Sequence, residues 1–275
     1  MTEYFIRFLF FLLATMGPPV TVTIATYERP QLLRQALQSV AMQEYDGNID
    51  AVVVDNSETK TAESVVEEFD CATYHWQQTH VPRQETGMEN LAVSRDLGFH
   101  FVDGEYIHLL DDDDKLRPMA IARKIDAIQR HPQAAAAYNA IEKHDGEVKH
   151  VPDVVVGNEL AFALTNLRPP TLPSALLVRR DVLLDCPPRR SLPHEDISGL
   201  IEILLRTPLV YVDEPLTVRT GPPDGGQSID SQRGRLRTHE RYSGLRNCLL
   251  SEPLQRHAKN SYETIIKQLE TAERA

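Results

Sequence analysis

The sequence is poor in cysteine, and the few cysteines it has are widely spaced. Cys71, Cys186 and Cys248 are odd in number and form no C-x-x-C pair in the 275 residues. Such a set is typical of reduced packing residues in a cytosolic protein. The sequence therefore predicts a cytoplasmic protein whose thiols are reduced.

Positive charge is also scarce. The chain has 29 Lys and Arg residues against 40 Asp and Glu residues, which gives a formal net charge of −11. Binding to a nucleic-acid backbone needs a basic face, and no Lys/Arg-rich patch is evident, so no nucleic-acid partner is expected. An acidic protein can still hold a polyphosphate if a divalent metal ion bridges the two sets of negative charge.

No apolar run is long enough to span a membrane. The one strongly apolar segment, residues 5–16, is shorter than the roughly 20 residues of a spanning helix, and Arg7 interrupts it. A signal peptide is disfavoured because the segment follows Glu3 and runs directly into the first expected strand. A membrane-surface anchor and an over-extended translation start stay open. The anchor would place the protein at the inner face of the membrane, as a peripheral protein.

What the sequence does contain is an alternation of short β-rich runs with amphipathic stretches. This pattern predicts an α/β fold with a mainly parallel central sheet and crossover helices, and polar helices near the C-terminus. Strands are expected at 20–25, 51–54, 72–76, 134–141, 174–179 and 209–212, and helices at 31–42, 88–102, 120–129, 196–205 and within 231–270, with a further helix ending at 65–69.

The most informative segment is 105–118, where an apolar strand ends in four consecutive aspartates. Oxygen ligands on a short turn suit a hard cation such as Mg²⁺ or Mn²⁺. In open α/β sheets this edge is also where ligands bind. A solvated acidic turn is the alternative. An EF-hand is disfavoured because the central glycine and the terminal Glu are missing, and a DxDx[TV] phosphatase because Thr or Val is missing.

Four segments in order resemble family 2 glycosyltransferases of the GT-A fold, over about residues 20–229. Residues 23–30 are similar to that family's opening strand and nucleotide loop, and 52–57 to its second strand with a base-binding aspartate. Residues 87–98 resemble its glycine/alanine-arginine-asparagine segment, and 104–114 its strand with the DXD motif. The resemblance implies an apolar extension (1–18), a nucleotide-binding half (19–145), an acceptor half (146–229) and a C-terminal helical tail (230–275).

The resemblance also implies a nucleotide-sugar donor. Tyr27 could stack on the base or pack on the sheet edge. Asp55 could accept from a pyrimidine N–H, which favours a UDP or dTDP sugar, or it could cap the following turn. Arg95 could pair with Asp55, contact the nucleotide or lie on the helix surface. The implied nucleotide-binding residues are Thr26, Tyr27, Arg29, Asp55, Arg95, Asp111 and Asp112.

Within the acidic run, Asp111 and Asp113 match the first and last acids of DXD. Asp113 is the expected ligand of Mn²⁺ or Mg²⁺, and Asp111 contacts the ribose, the metal ion or water bound to the metal. Asp112 points the other way if the strand persists. Asp114 caps the next helix or stands behind the metal ligands.

The sequence His194-Glu195-Asp196 lies where inverting members of this family carry an acidic pair before a helix. Asp196 is the expected general base, and Glu195 orients it or contacts the acceptor. The alternatives are a helix-capping role for Asp196 and a base role for His194. Arg219 and the nearby loop 225–228 resemble the family's closing strand and donor-covering loop, so Arg219 could contact the diphosphate.

These residues predict a metal-dependent inverting transferase that moves a sugar to a glycan, a lipid-linked acceptor or a protein hydroxyl. A catalytically silent GT-A domain and a sugar nucleotidyltransferase are the alternatives, although residues 23–30 lack the glycine-rich basic loop of the latter. Three positions depart from the family pattern. Glu28 stands where Asn is usual, Asp96 replaces an expected Asn, and Lys60 falls where Asp is common.

Overall fold

The computed structural model describes residues 16–77, 88–220 and 229–272. The apolar segment, apart from Met16, and the loop 225–228 lie outside the described residues. Among those described, no helix combines the length and apolar character needed to cross a bilayer. The strands are β1 (Val20–Thr26), β2 (Ile49–Asp55), β3 (Ala72–Trp76), β4 (Tyr106–Asp111), β5 (Asp114–Leu116), β6 (Ala136–Lys143), β7 (Val148–Lys149), β8 (Leu177–Arg179) and β9 (Leu209–Arg219).

The helices alternate with these strands in the first half and dominate the C-terminal end. They are α1 (Pro30–Ala41), α2 (Glu63–Val66), α3 (Met88–Gly98), α4 (Ala120–Arg130), α5 (Glu159–Asn166), α6 (Arg180–Leu184), α7 (Glu195–Leu204), α8 (Ile229–Arg241), α9 (Ser243–Leu249) and α10 (Glu252–Ala272), with 3-10 turns at Pro173–Ala175 and Arg189–Ser191.

The described strands form one mixed, mainly parallel sheet. Their order is β3-β2-β1-β4-β8-β6-β9-β5, and β7 pairs with β6. The first four strands are mutually parallel, β8 runs against β4 and β6, and β9 is parallel to β6. The chain crosses from one side of β1 to the other between β3 and β4. This switch of direction leaves a crevice at the carboxyl ends of β1 and β4, where α/β proteins bind ligands.

Helices cover both faces of the sheet, as the side chains of β4 show. Tyr106 and Leu110 point to one face and join a core cluster that includes Leu33 and Ile121. Ile107, between them, points to the other face and joins the cluster under α7. Successive residues of a strand face opposite sides, so a strand covered on both sides reads as a continuous apolar run.

Several predicted elements have different bounds. The strand expected at 209–212 continues to Arg219, because its second part pairs with β5 as well as with β6. The strand expected at 174–179 begins only at Leu177, because its first two residues belong to the 3-10 turn Pro173–Ala175. The helix expected to end at 65–69 is the short helix α2. The C-terminal helices pack on the rest of the protein: Ile265 and Leu269 of α10 bury themselves against Leu167, just after α5.

Candidate active site

Three sequence-predicted residues come together because three parallel strands end side by side. Thr26 at the end of β1 is in register with Asp55 at the end of β2, and Ala25 is in register with Asp111 at the end of β4. Tyr27 follows β1 and is 37% exposed. The carboxyl edge of the sheet therefore gathers a threonine, a tyrosine and the acidic run within one crevice.

The acidic run places three carboxylates around one point. Oxygen atoms of Asp111, Asp113 and Asp114 all lie within 4.8 Å of one another. The association of Asp111 with Asp113 matches the prediction from the DXD spacing. The helix-cap prediction for Asp114 is wrong, because Asp114 begins β5 and the N-cap of α4 is Met119. The chain turns back after Asp113 to pair with β9, which swings Asp114 in beside its neighbours.

Burial among like charges makes the carboxyl groups of Asp111 and Asp114 reluctant to ionise. Burial, together with the charges of Asp111 and Asp113, raises the pKa of Asp114 to about 7. Burial also raises the pKa of Asp111, an effect that Arg95 opposes. A cation at the common point of the three carboxylates would offset their repulsion.

Asp112 points away from this group, as the strand alternation predicts. Its carboxylate accepts a hydrogen bond from the Thr26 hydroxyl at 2.7 Å and another from Arg29 Nη1 at 3.2 Å. Arg29 also reaches Asp113 at 3.3 Å. Burial raises the pKa of Asp112 to about 6. Thr26 and Arg29 thus tie the loop after β1 to the acidic run.

Asp55 organises its own loop. Its carboxylate is fully buried and accepts hydrogen bonds from the amides of Ser57 and Ala62, at 2.8 and 3.0 Å, and from the Tyr74 hydroxyl at 3.1 Å. These are the contacts expected if Asp55 caps the turn that follows β2.

The described contacts of Arg95 correct its predicted pairing with Asp55 and its predicted surface position. Arg95 is buried on α3, and its guanidinium bridges two parts of the chain. Nη2 donates to Asp111 Oδ1 at 2.6 Å, Nη1 donates to Asp196 Oδ1 at 2.6 Å, and Nη1 also contacts Glu195 Oε1. Arg95 therefore joins the acidic end of β4 to the first turn of α7.

The pair Glu195-Asp196 forms the first turn of α7. Glu195 is buried, and its Oε2 has no hydrogen-bond partner among the described residues. Asp196 is partly exposed and lines a shallow, open cleft. The rest of the cleft is formed by Leu109, Thr171, Leu172, Pro173, Leu176, Arg189 and Leu200. The helix-capping alternative for Asp196 is not observed, since the N-cap residue is His194.

His194 has a left-handed backbone, with φ at +46°. Its Nε2 lies 3.1 Å from the Ser231 hydroxyl of α8. Burial lowers the pKa of His194. The imidazole thus points at α8, whereas a general base would have to face the cleft.

Asp96 has a structural role that the sequence did not reveal. Its carboxylate accepts hydrogen bonds from the backbone amides of Arg189 and Arg190, at 2.6 and 3.1 Å. The Arg189 guanidinium in turn donates to the carbonyl of Glu195 at 2.9 Å. A carboxylate can accept both amide protons, whereas the expected Asn would offer only one acceptor oxygen.

Two further residues near the acidic group, Ser174 and Thr220, had no local sequence signal. Arg219 was predicted, and the structure places it in register with Asp114 in β5. Ser174 accepts a hydrogen bond from the Asp111 amide at 3.1 Å, and the Thr220 amide donates to Asp114 at 3.2 Å. The Thr220 hydroxyl also contacts the Asp113 carbonyl. Only the sheet pairing brings these residues together, so no spacing rule could have found them.

A Rossmann-like sheet with an acidic DXD-like group at its switch point defines a GT-A protein. The family model described as "Glycosyl transferase family 2" matches residues 21–184, which is more than half of the chain. The chain therefore belongs to glycosyl transferase family 2. The predicted family and fold are confirmed.

Solved structures share the fold at low sequence identity. The TarS 1–349 structure from S. aureus, in complex with UDP-GlcNAc, has a TM-score of 0.63 and 16% identity, covering 91% of this chain and 72% of that one. The mannosyltransferase PcManGT from Pyrobaculum calidifontis, in complex with GDP-Man and Mn²⁺, has a TM-score of 0.61 and 16% identity, covering 99% and 84%.

A curated relative covers a smaller region. Protein CgeD of Bacillus subtilis (strain 168) is 27% identical over 127 residues, which are 45% of this chain and 29% of that protein. The match thus spans less than a third of CgeD.

Proposed function

We propose that this glycosyltransferase moves a sugar from a nucleotide-diphosphate sugar to a hydroxyl acceptor, with inversion at the anomeric carbon and with a divalent metal ion. The acceptor class is a glycan, a lipid-linked glycan or a protein. Two of the fold relatives carry nucleotide sugars, UDP-GlcNAc and GDP-Man, in this type of fold.

The observation that carries the proposal is the Arg95 bridge. Asp111 and Asp196 each lie 2.6 Å from a terminal nitrogen of the same guanidinium. The two carboxylates are therefore within roughly 8 Å of each other, since one planar group spans the gap. This separation suits a diphosphate at the acidic group and a base on the far side of the donor sugar.

The donor set supports Mn²⁺ or Mg²⁺. Asp113 and Asp111, with Asp114 beside them, offer only carboxylate oxygens, the ligands that such hard cations prefer. When bound, the ion would neutralise the diphosphate and the charge that develops on the leaving oxygen. Tyr27 offers a surface on which the base can stack, and Arg29 and Arg219 lie near the acidic run. Asp196 accepts the proton of the acceptor hydroxyl, and Glu195 holds Arg95, the arginine that Asp111 and Asp196 share.

The internal contacts of Asp55 bear on the choice of nucleotide. Both of its oxygens already accept hydrogen bonds from the loop after β2. Our preference for UDP or dTDP rests on one further contact from a pyrimidine N–H to a lone pair of this carboxylate. Because Asp55 is fully buried, that contact requires the loop after β2 to open when the nucleotide binds. A competition assay with UDP, dTDP and GDP tests the preference, and tighter binding of GDP would remove it.

The first prediction concerns the metal ion. Asp113→Ala should lower the affinity for UDP in Mn²⁺ at least tenfold, because a diphosphate beside unneutralised carboxylates meets repulsion on the order of 4 kcal/mol per charge pair at 4 Å and an effective dielectric of about 20. Isothermal titration with Mn²⁺ and with EDTA measures the effect. Asp112→Asn should lower the affinity for UDP by less, because Asp112 points away from the other three carboxylates. Unchanged UDP binding in Asp113→Ala, or in EDTA with the wild-type protein, contradicts the metal site.

The second prediction concerns the base. Asp196→Asn keeps the shape of the side chain and removes its proton acceptor, so kcat should fall by roughly 10² to 10⁴ while nucleotide affinity hardly changes. Asp126→Asn on the outer face of α4 is a matched control and should keep full activity. NMR of the product reports its anomeric configuration. Near-normal turnover in Asp196→Asn removes the base assignment, and a retained configuration removes the inverting mechanism.

A further inference from the structure

The segment that carries the proposed base is held from outside the family match. Residues 193–198 hold Glu195 and Asp196 and lead into α7. The N-terminus of α7 has no side-chain hydrogen bond from its own N-cap residue. Arg95 and Arg189 contact this segment from one side. Further contacts come from α8, which begins at Ile229, well beyond the family match at 21–184.

One face of α8 supplies these contacts. The Ser231 hydroxyl lies 3.1 Å from His194 Nε2, and the Thr238 hydroxyl lies 2.9 Å from the Pro193 carbonyl and 3.2 Å from the Ser198 hydroxyl. Ser231 and Thr238 are buried. They are seven residues apart, which places them on the same side of a helix.

Gly234 lies between these two residues and allows the close approach of α8. A Cβ atom added at Gly234 would lie 3.1 Å from the Cβ atom of His194. That distance is short for two carbon atoms, so the helix and the 193–198 segment touch along their backbones. Residues 193–198 and α8 are therefore packed directly against each other, and the hydroxyl groups of Ser231 and Thr238 add polar contacts between them.

The backbone of His194 also requires support. A non-glycine residue at φ +46° costs about 1 kcal/mol or more and persists only where its surroundings hold it. On the side of α8, the hydrogen bond to Ser231 and the contact with Gly234 hold the backbone of His194 in this conformation. If His194 relaxed to an ordinary backbone conformation, the first turn of α7 would rotate, and Asp196 would move with it.

We propose that α8 is a positioning element of the active site, in which Ser231 and Thr238 hold Pro193 and His194 so that Asp196 keeps its orientation toward Arg95 and the cleft. This inference rests on the proposed role of Asp196 as base. It makes residues 229–241 part of the catalytic unit and gives His194 a positioning role.

The test removes the two hydroxyl groups and keeps the volume. Thr238→Val and Ser231→Ala, alone and together, should lower kcat by between ~10-fold and ~100-fold, because a displacement of about 1 Å at a reacting group has effects of this size. KM for the donor and the affinity for UDP with Mn²⁺ should stay within about twofold. Hydrogen exchange of the Ile197 and Ser198 amides, which donate to the His194 carbonyl, should become faster even without substrate.

Thr264→Val is the matched control. The Thr264 hydroxyl on α10 donates to the carbonyl four residues earlier at 2.8 Å, just as Thr238 can donate to the Gly234 carbonyl at 2.9 Å. It is exposed and is not among the residues that contact the 193–198 segment in the described structure. Its activity and its exchange pattern should match the wild type. If Thr264→Val lost as much kcat as Thr238→Val, the loss would come from a general weakening of the helices and not from the contact with residues 193–198. That result would overturn the proposal.

His194 offers a rescue experiment. Asn adopts the left-handed region more readily than most residues, so it retains the backbone conformation of residue 194 although its shorter side chain does not reach Ser231 as Nε2 does. His194→Asn should therefore keep most of the activity, whereas His194→Ala should lose about as much kcat as the Ser231→Ala/Thr238→Val pair. Equal activity in the Asn and Ala variants overturns the positioning role.

A double-variant cycle separates this proposal from the base assignment. In the Asp196→Asn background, Thr238→Val should cost no further kcat, because both changes act through one carboxylate. Full turnover in Asp196→Asn removes the base assignment. An inactive Asp196→Asn together with near-normal kcat and amide exchange in Thr238→Val removes the role of α8 alone.

Discussion

At the scale of single residues, the site is a small set of buried charges that nearly balance. Arg95 and Arg189 lie among Asp111, Glu195 and Asp196, and Arg189 Nη1 is 3.9 Å from Glu195 Oε2. Removing charges from water is costly, and a buried cluster of this kind is weak evidence for stability. We infer that its value lies in fixing the distance between the acidic group and α7.

Gly199 allows Arg189 to reach this cluster. A Cβ atom at Gly199 would lie 1.4 Å from Arg189 Nη1, and Arg189 is buried and hydrogen-bonded to the Glu195 carbonyl. Gly199→Ala should therefore lower the free energy of unfolding by about 1 to 3 kcal/mol, as overpacking usually does. Gly244→Ala is the control, since no described residue, apart from its chain neighbours and its own helix backbone, has an atom within 4 Å of the added Cβ atom.

The control should change stability in the opposite direction. Ala has a higher helix propensity than Gly, so Gly244→Ala should raise the free energy of unfolding by up to about 1 kcal/mol. Urea denaturation measures both variants. Gly199→Ala as stable as the wild type would mean that Arg189 has room to move.

The departures from the family pattern have a backbone explanation. Glu28 and Lys60 have φ angles of +53° and +54°, in the left-handed region. Asn and Asp enter this region more easily than Glu or Lys do. The family's usual Asn and Asp at these positions therefore suit the turn, and the residues found here adopt the same turn at some cost in strain.

At the scale of elements, a buried polar contact joins β4, α4 and β6. Lys124 of α4 is fully buried, and its Nζ lies 2.7 Å from His108 Nε2, 2.9 Å from Asn139 Oδ1 and 3.3 Å from the Ala175 carbonyl. Asn139 continues the contact to Thr217 of β9. The Lys124 amine thus connects the helix directly to two strands and, through Asn139, to a third.

This lysine predicts a pH dependence of stability. Burial lowers the pKa of Lys124 to about 7, well below the unfolded value of about 10.4. Between these values the unfolded chain binds a proton that the folded protein does not, so the free energy of unfolding rises with pH by at most about 1.4 kcal/mol per unit. Below pH 7 both states bind the proton and the slope vanishes.

Lys124→Met should remove that slope. Urea unfolding at pH 7, 8 and 9 gives the difference in slope between the variant and the wild type. Lys259→Met, at an exposed position on α10, is the control and should keep the wild-type slope. Parallel pH curves for the wild type and Lys124→Met would show that the folded protein keeps the buried amine charged.

Sequence patterns predicted the elements of the first half better than the contacts between them. The periodicity of β1, α1 and β3 and the acidic end of β4 are local signals, and the structure has these elements within one or two residues. The bond from Arg95 to Glu195 joins residues 100 positions apart, and no local pattern encodes it. The extension of β9 was missed because its second part contains Pro215 and two acids, which are poor strand formers.

At the scale of the whole molecule, the C-terminal helices complete the core. Ile265 and Leu269 of α10 pack on Leu167, and Tyr242 and Leu250 pack on α7 through Ile197. A separate tail would leave these apolar surfaces in water. The sequence predicted a boundary at residue 229/230, and these contacts argue that the two sides of it fold as one unit.

The last prediction tests that unity. Ile265→Ala removes a side chain that is 98% buried, which should lower the free energy of unfolding by about 2 to 4 kcal/mol. Trp76, the single tryptophan of the sequence, lies in β3 at the edge of the sheet, so its fluorescence reports on the distant nucleotide-binding half. In one cooperative unit, the urea midpoints from Trp76 fluorescence and from far-UV circular dichroism fall together. Leu254→Ala, at an exposed position on the same helix, should shift neither. The contrary result is that Ile265→Ala shifts the circular dichroism midpoint to lower urea while the Trp76 midpoint stays fixed. That result would show that the C-terminal helices unfold as an independent unit. The contacts between α8 and residues 193–198 would then have to hold without the packing of α10.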